Sequence, residues 1–426
     1  MTGFTLTEDQ QQVREDARKF AKEVLLGAPA EYLKFGTQEE RFRSTRPLYQ
    51  KAVAAGQIRA QIPIPAGGTG GSFVSTALQL EEHYAVDASV SLTIAATGLG
   101  LAPLIIAGNP DLWNRFLPPF LSGDGEPLAS LVHSEPGGTA NWLESGGNGL
   151  QTTAYEKDGQ WIINGEKLWT TNSAGWDRKG ADLQCVVCRY CEGGPESSPA
   201  RDLRSSVVIL IVTRENVALN GPSSYIVLDE PELVGHPAVS GPHTRFTNFK
   251  VPMENLLASP DSAVDIVKQS FGVSAAMVGG MAVGIMRAAF EKALRFAKTN
   301  NRGGLVPIIQ RQSVADLLIK TKIKLDASRL LTWKALDSVQ NGPGDEAAVL
   351  EACLQAKIFS SENAVKCVVS AMKVVGITSY ASNHAFGRLL NDAACLPLFD
   401  GGNVGIRQRQ YQSLLEDQNY QPWANL

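Results

Sequence analysis

The feature that most constrains the fold is a double change of hydrophobic period along the chain. Apolar residues recur at helical spacing up to about residue 125, alternate in short runs from about 126 to 255, and return to helical spacing beyond that. A helix returns to the same face after three or four residues, whereas a strand changes face at every residue. The chain is therefore expected to be mostly α with a central β-domain: an N-terminal helical domain over 1–125, a middle β-barrel or sandwich over 126–255, and a C-terminal helical bundle over 256–426. A length of 426 residues fits two or three such domains.

Local signals fill in this outline. Thr7 and Gln10 have capping-box spacing, and Val13, Ala17, Phe20, Ala21 and Val24 then share one helical face. The Gly- and Pro-rich stretch 63–72 lacks the Gly-Lys-Ser/Thr of a phosphate loop and follows no clear strand, so it is expected to turn between helices. In the middle stretch Asp158-Gly159 and Asn164-Gly165 have the composition of tight hairpin turns, 206–213 reads as a β-branched strand, and 191–206 reads as a surface loop. Farther on, 264–298 and 312–339 read as long helices, and Leu350, Leu354, Ile358, Val365, Val368 and Met372 keep one face of another. Gly279, Gly280 and Gly284 leave room for close helix approach.

Composition narrows the function. With 44% hydrophobic residues, 19% charged residues and a net charge of −4, the chain has the balance of a globular protein and no broad basic field for nucleic acid or anionic lipid. Residues 1–12 are polar and acidic, unlike a signal peptide, and no apolar run is expected to reach the ~20 residues of a membrane span. Six cysteines without a secretion signal suggest reduced thiols and a cytoplasmic protein. The end Ala424-Asn425-Leu426 is a distant relative of a peroxisomal tripeptide. Cys185 and Cys188 invite a redox or zinc reading, but three residues apart in a strand they face opposite sides, as buried structural thiols do. The five histidines are scattered without metal-ligand spacing, and neither a Rossmann fingerprint nor a nucleophile elbow is present.

Three segments carry candidate chemistry. The turn-rich run from Leu131, Val132, His133 and Ser134 through Thr139, Ala140 and Asn141 to Trp142 is dense in small polar groups that suit a cofactor's oxygens; equally, it reads as a domain linker. Trp169, Thr170, Thr171 and Asn172 close a strand with an aromatic and two hydroxyls, which is also ordinary sheet composition. Phe399-Asp400-Gly401-Gly402-Asn403 combines a carboxylate with an unusual backbone path. Asn403 is a plausible helix N-cap, and the positive end of the helix dipole favours Asp400. Arg407 stands where that dipole disfavours a cation, so a nearby carboxylate is its expected partner. A structural Asp cap beside a surface Arg reads as well.

Together these segments resemble the acyl-CoA dehydrogenase superfamily over essentially the whole chain. The resemblance is carried by Glu135-Pro136-Gly137, by Trp169-Thr170-Thr171-Asn172, by Arg302 and Gln312, by Ala371-Met372-Lys373-Val374-Val375-Gly376, and by Asp400-Gly401 with Arg407. It implies the acyl-CoA-dehydrogenase-like fold, with a C-terminal four-helix bundle, and FAD as cofactor. FAD would be held by Leu131, Val132, His133, Ser134, Thr139, Ala140, Asn141, Trp169, Thr170, Thr171, Arg302, Arg311, Gln312, a loop of Ala371, Met372 and Lys373, and Gly401 and Gly402. The resemblance places Arg302 and Gln312 across a subunit interface and so implies a homotetramer.

The departures from the common pattern point to one branch. Asp400 replaces the usual Glu base, Thr139-Ala140-Asn141 replaces the usual Gly-Ser-Asp, and Lys373 stands where a Gln is usual. With Ser274, these are similar to the branch that oxidises neutral nitroalkanes, although Thr171 stands where that enzyme has a serine approaching the flavin. The resemblance then implies proton abstraction by Asp400, oriented by a hydrogen bond from Ser274 and with its pKa lowered by Arg407, with conversion to aldehydes or ketones and release of nitrite and hydrogen peroxide at the expense of O2. The alternatives are an acyl-CoA dehydrogenase that passes electrons to an electron-transfer flavoprotein, and a non-catalytic scaffold that binds a ligand or partner.

Overall fold

The computed structural model describes residues 5–194, 202–342 and 345–423. Helix α1 (Glu8–Phe20) begins at Thr7 with both bonds of the capping box in place and runs on through a π-helical turn, Ala21–Leu25. Three short helices follow: α2 (Ala28–Tyr32), α3 (Gln38–Ser44) and α4 (Arg46–Ala54) precede the 63–72 stretch, which turns as expected. There Ile64–Ala66 form a 3-10 turn, Gly67 adopts φ 88°, and the Ser72 hydroxyl caps α5 (Phe73–Tyr84). Helices α6 (Ala88–Ile106), α7 (Pro110–Phe116) and α8 (Pro118–Leu121) complete the N-terminal part.

The middle part contains β1 (Ala129–Val132), β2 (Thr153–Lys157), β3 (Gln160–Lys167), β4 (Leu183–Tyr190), β5 (Val207–Thr213), the helix α9 (Arg214–Leu219), β6 (Tyr225–Asp229), β7 (His243–Pro252) and β8 (Leu256–Ala258). The strands form one hydrogen-bonded path, β6-β7-β3-β2-β4-β5-β8, with β1 parallel to β4. Asp158 and Gly159 join β2 to β3 with φ of 51° and 72°, the two positive angles that a tight hairpin turn needs.

Asn164-Gly165 differs from expectation. It is no turn: β3 continues through it at an irregularity in its pairing with β7. Gly165 has φ 140°, and a Cβ there would lie 2.5 Å from the Thr152 backbone, so the glycine serves a close approach of backbone within the sheet. Cys185 and Cys188 are buried free thiols in β4, and burial pushes both up to about 12, which makes them inert. The 191–206 loop lies partly, and the 424–426 tripeptide wholly, outside the described residues.

The C-terminal part packs α10 (Ala263–Thr299), α11 (Gln312–Asn341) and α12 (Glu346–Val375) with α13 (Phe386–Cys395), and α14 (Gln408–Glu416) follows. Two helices are apolar and long enough to cross a membrane, Ala88–Ile106 and Ala263–Thr299, contrary to the sequence expectation. They are 61% and 78% buried within the fold, as core helices are. Residues 371–375, expected as a loop, are the last turn of α12, and Gly376 ends it at φ 68°.

The apolar cores do not stop at the boundaries of the three parts. One core joins the N-terminal helices to a sheet face and the start of α10; another joins α5 to α10, α11, α12 and α13; a third covers the other side of the sheet. Helices α1, α5, α10 and α11 are also tied by Glu81 and Glu82, which accept from Arg18, Arg287 and Arg329. Burial alone would raise the Glu82 carboxyl, and the guanidiniums of Arg287 and Arg18 bring it below its ordinary value.

Glycines of α10 let it pack closely on its neighbours. A Cβ on Gly279 would lie 2.1 Å from the Thr332 hydroxyl of α11, and one on Gly284 would lie 2.7 Å from the Glu81 carbonyl and 2.8 Å from Tyr84 Cβ on α5. Since the atoms facing Gly284 are main-chain atoms and a Cβ at the end of α5, which cannot rotate away, Gly284→Ala is expected to destabilise the protein by about 1–3 kcal/mol. A lowered thermal midpoint checks this; an unchanged or raised midpoint, as the higher helix propensity of alanine alone would give, contradicts it.

Candidate active site

The segment after α13 holds the carboxylate in an uncommon backbone. Asp400 has φ 52° and Gly401 φ 72°. A left-handed non-glycine residue costs on the order of 1–3 kcal/mol and persists where its surroundings over-determine it. Here they do. Arg407 donates to the Asp400 main-chain carbonyl from Nε at 2.9 Å and from Nη2 at 2.6 Å, and Nη2 also reaches the Phe271 carbonyl of α10 at 2.9 Å. Gly401 must be glycine for a second reason: a Cβ would lie 2.8 Å from Arg407 Nε.

Two expectations change at this point. Arg407 finds carbonyls rather than a carboxylate, with Gln410 Oε1 taking Nη1 at 2.9 Å. It can do so because it closes a π-helical turn, Asn403–Arg407, ahead of α14 and is almost fully buried against α10. Asn403 is not the cap. Gly402 holds that position, and the Asn403 side chain is buried, bonded to Lys357 and Ser361 of α12.

Ser274 is brought to the carboxylate by α10. Its hydroxyl donates to Asp400 Oδ2 at 2.6 Å, a bond spanning 126 residues of sequence. Both residues are half-buried. Among the described residues no protein group donates to Asp400 Oδ1, so one oxygen is held and the other is left for a reactant.

The turn-rich segment lies alongside. Leu131, Val132 and His133 are buried at and just past the end of β1, while Ser134 and Thr139 are half-buried and Ala140 and Asn141 exposed. The His133 ring packs edge-on to Phe271 and Trp142, at 5.6 and 4.8 Å between centroids. Arg409 of α14 donates to Asn141 Oδ1, linking the turn to the Asp400 segment. Leu168 N donates to the Ser134 carbonyl, which brings the next segment to the same place. Strand β3 ends at Lys167, so 168–172 follows it as a turn, with φ of 64° at Trp169 and 71° at Asn172. Trp169 is 54% exposed. The Thr170 hydroxyl is buried against Ser173, and Thr171 is half-buried.

A second group of expected residues gathers elsewhere. Arg302, Arg311 and Gln312 are exposed between α10 and α11, and Arg302 donates to the Val375 carbonyl and to Thr378 just past Ala371, Met372 and Lys373. Ser274 precedes the end of α10 by 25 residues, which at the rise of an α-helix is about 38 Å. The expected residues therefore form two clusters in one chain.

Lys167 was not singled out from the sequence, yet it holds the turn in place. Fully buried, it donates to the His133 carbonyl at 2.9 Å, the Val187 carbonyl at 2.7 Å and Glu135 Oε1 at 2.9 Å. Glu135 in turn accepts from the Gln151 and Thr152 backbones. Burial would raise the Glu135 carboxyl, but Lys167 and those backbone donors bring it below its ordinary value. The signal in the sequence was a lysine in a strand position that alternation assigns to the interior.

Comparison with known proteins bears on this arrangement. The family model described as acyl-CoA dehydrogenase, N-terminal domain, matches residues 7–124, and the acyl-CoA dehydrogenase C-terminal domain model matches residues 264–410. The chain is 52% identical to a nitroalkane oxidase of Fusarium oxysporum over 100% of this chain and 97% of that protein. It is 48% identical to a nitroalkane oxidase of Podospora anserina over 99% and 98%. A solved nitroalkane oxidase structure, of an active-site mutant crystallised with 1-nitrooctane, superposes with a TM-score of 0.97 at 51% identity, covering 100% of this chain and 99% of that one.

Removing one partner of the buried pair tests its role in the turn. Lys167→Met leaves Glu135 buried and unpaired and is expected to cost roughly 3–5 kcal/mol. It is also expected to speed amide exchange in the 133–142 turn. Unchanged stability and exchange would show that the turn does not depend on this ammonium.

Proposed function

The chain belongs to the acyl-CoA dehydrogenase family, on its nitroalkane oxidase branch, and from that premise we propose that it oxidises neutral nitroalkanes with Asp400 as the base. It is a flavin-dependent oxidoreductase that uses FAD. Its own residues fit that cofactor. Among the described residues the buried His133 Nε2 has no hydrogen-bond partner. Burial, reinforced by Lys167, pushes this imidazole down to about 3, so it is neutral at ordinary pH. Trp169 stands exposed beside the half-buried Thr171. The 131–134 and 139–141 segments, Trp169, Thr170, Thr171, Gly401 and Gly402 would hold FAD near the carboxylate. When bound, FAD supplies the two-electron acceptor, with nitrite leaving the substrate, water giving the aldehyde or ketone, and O2 reduced to hydrogen peroxide.

The protein's own part is to take a proton from carbon. Asp400 Oδ1 accepts the hydrogen on the carbon that bears the nitro group, while Ser274 fixes Oδ2 and Arg407 fixes the main chain. A base positioned in this way typically contributes about 10²–10⁴-fold. The observation that carries the reading is the 2.6 Å bond from Ser274 to one oxygen of a carboxylate whose backbone is independently clamped.

The reading includes a homotetramer. About 38 Å along α10 separates Ser274 from the Arg302 end, which suits a role for Arg302, Arg311 and Gln312 toward a neighbouring copy. The exposed apolar residues Ile319 and Ile323 on α11 support such contacts.

Two substitutions test the chemistry. Asp400→Asn is expected to retain FAD and lose at least about 10²-fold in nitroethane turnover, followed as O2 consumption with nitrite release, while still oxidising the pre-formed nitronate anion. Undiminished nitroethane turnover would remove Asp400 from the mechanism. Ser274→Ala deletes a hydrogen bond to a charged group, worth about 1.5–3 kcal/mol. A loss of roughly tenfold to a hundredfold on nitroethane is expected, and an unaltered rate would show that the hydroxyl does not orient the base.

A further inference from the structure

Lys357 lies in α12 with its side chain completely buried, and the chemistry proposed above makes no use of it. Its Nζ donates to the Leu396 carbonyl and, at 3.3 Å, to Asn403 Oδ1. Asn403 Nδ2 donates to the Ser361 hydroxyl at 3.1 Å, and that hydroxyl donates to the Lys357 carbonyl at 2.7 Å. A single turn of α12 thus grips both ends of the 396–403 segment, and Asp400 lies between the two grips. The Phe399 ring, 5.9 Å from Nζ, closes the site.

The electrostatics point the same way. Among the described residues no carboxylate bonds the ammonium. Burial pushes the amine down to about 7, Asp400 opposes that by favouring its charge, and Arg407 adds to it. Arg407 itself lies beside Asp400 and the Cys353 thiol of α12. α10 contributes the neutral Ser274 hydroxyl to Asp400. An apolar side chain would fill the same space without the desolvation cost of a buried charge.

We propose that Lys357 is a positioning residue for the base: it anchors the two ends of the Asp400 segment to α12 and sets the carboxylate for proton abstraction. This rests on the reading of Asp400 as the base. A merely structural lysine would affect every substrate alike. A residue that acts through Asp400 affects the substrate that needs a proton removed and spares the one already deprotonated.

The test uses the FAD-loaded Lys357→Met enzyme with nitroethane and, separately, with its pre-formed nitronate anion. We expect kcat/KM for nitroethane to fall at least tenfold further than kcat/KM for the nitronate, with FAD content, read from flavin absorbance, unchanged. An equal loss on both substrates, or no loss on either, overturns the proposal. Should the methionine variant fail to fold or keep FAD, two milder variants are read in the same way. Lys357→Gln keeps an N–H donor without the charge, and Asn403→Ala removes one of the two grips. Asp400→Asn, run in parallel, separates the two readings. If it retains nitroethane turnover, the base assignment fails; if it loses turnover while the Lys357 variants do not discriminate between the substrates, only the positioning role fails.

Discussion

The site depends on a guanidinium bonded to a main-chain carbonyl. Arg407 holds the Asp400 carbonyl with two donors and reaches across to the Phe271 carbonyl of α10. Those charge-assisted bonds hold Asp400 in a left-handed conformation that it would otherwise leave. They also leave no room for a side chain at position 401. Because Phe271 and Ser274 share one stretch of α10, the contact that fixes the backbone also fixes the distance from the serine hydroxyl to the carboxylate.

That precision requires α10 itself to be immobile, which explains why the cores ignore the boundaries between the three parts of the chain. Its first residues pack with the sheet and the N-terminal helices, and its later ones pack with α5, α11, α12 and α13. Glycines set the approach to α5 and α11 to within the reach of a missing methyl group. The buried ion cluster around Glu81 and Glu82 then ties α1, α5, α10 and α11 together. A rigid helix shared by two cores carries the serine, and a clamped segment carries the aspartate.

Much of this was legible in the residues because the signals are local. The capping box at Thr7, the Asp158-Gly159 hairpin and the long striped helices depend on neighbours within a few positions, and the structure shows each of them. Asn164-Gly165 misled because the same dipeptide suits a turn and a close backbone approach, and only the packing of Thr152 decides between them. Arg407 was expected beside a carboxylate because sequence exposes charges and hides main-chain carbonyls. Lys357 and Ser361 share a helical face with Leu350, Leu354 and Val368, but the groups their polar ends bond to are not legible in the sequence. Those groups come from the segment after α13, which folds back on that face, a long-range event with no local signature. The 371–375 loop was an expectation drawn from resemblance, where helical propensity would have served better.

The way the cations are bound decides whether the carboxylate oxygens stay open. A guanidinium paired with both carboxylate oxygens would occupy the sites that must accept the proton. Arg407 avoids this by bonding the carbonyl, and Lys357 by bonding the Leu396 carbonyl and Asn403. Both supply positive potential to Asp400 without sitting on its oxygens. The neutral Ser274 hydroxyl is the group that touches the carboxylate, and it takes only Oδ2. The residue is thus held rigidly by charge acting on the backbone and only lightly by contact with the side chain. A carboxylate that must leave its proton-accepting oxygen open to a carbon acid requires that division.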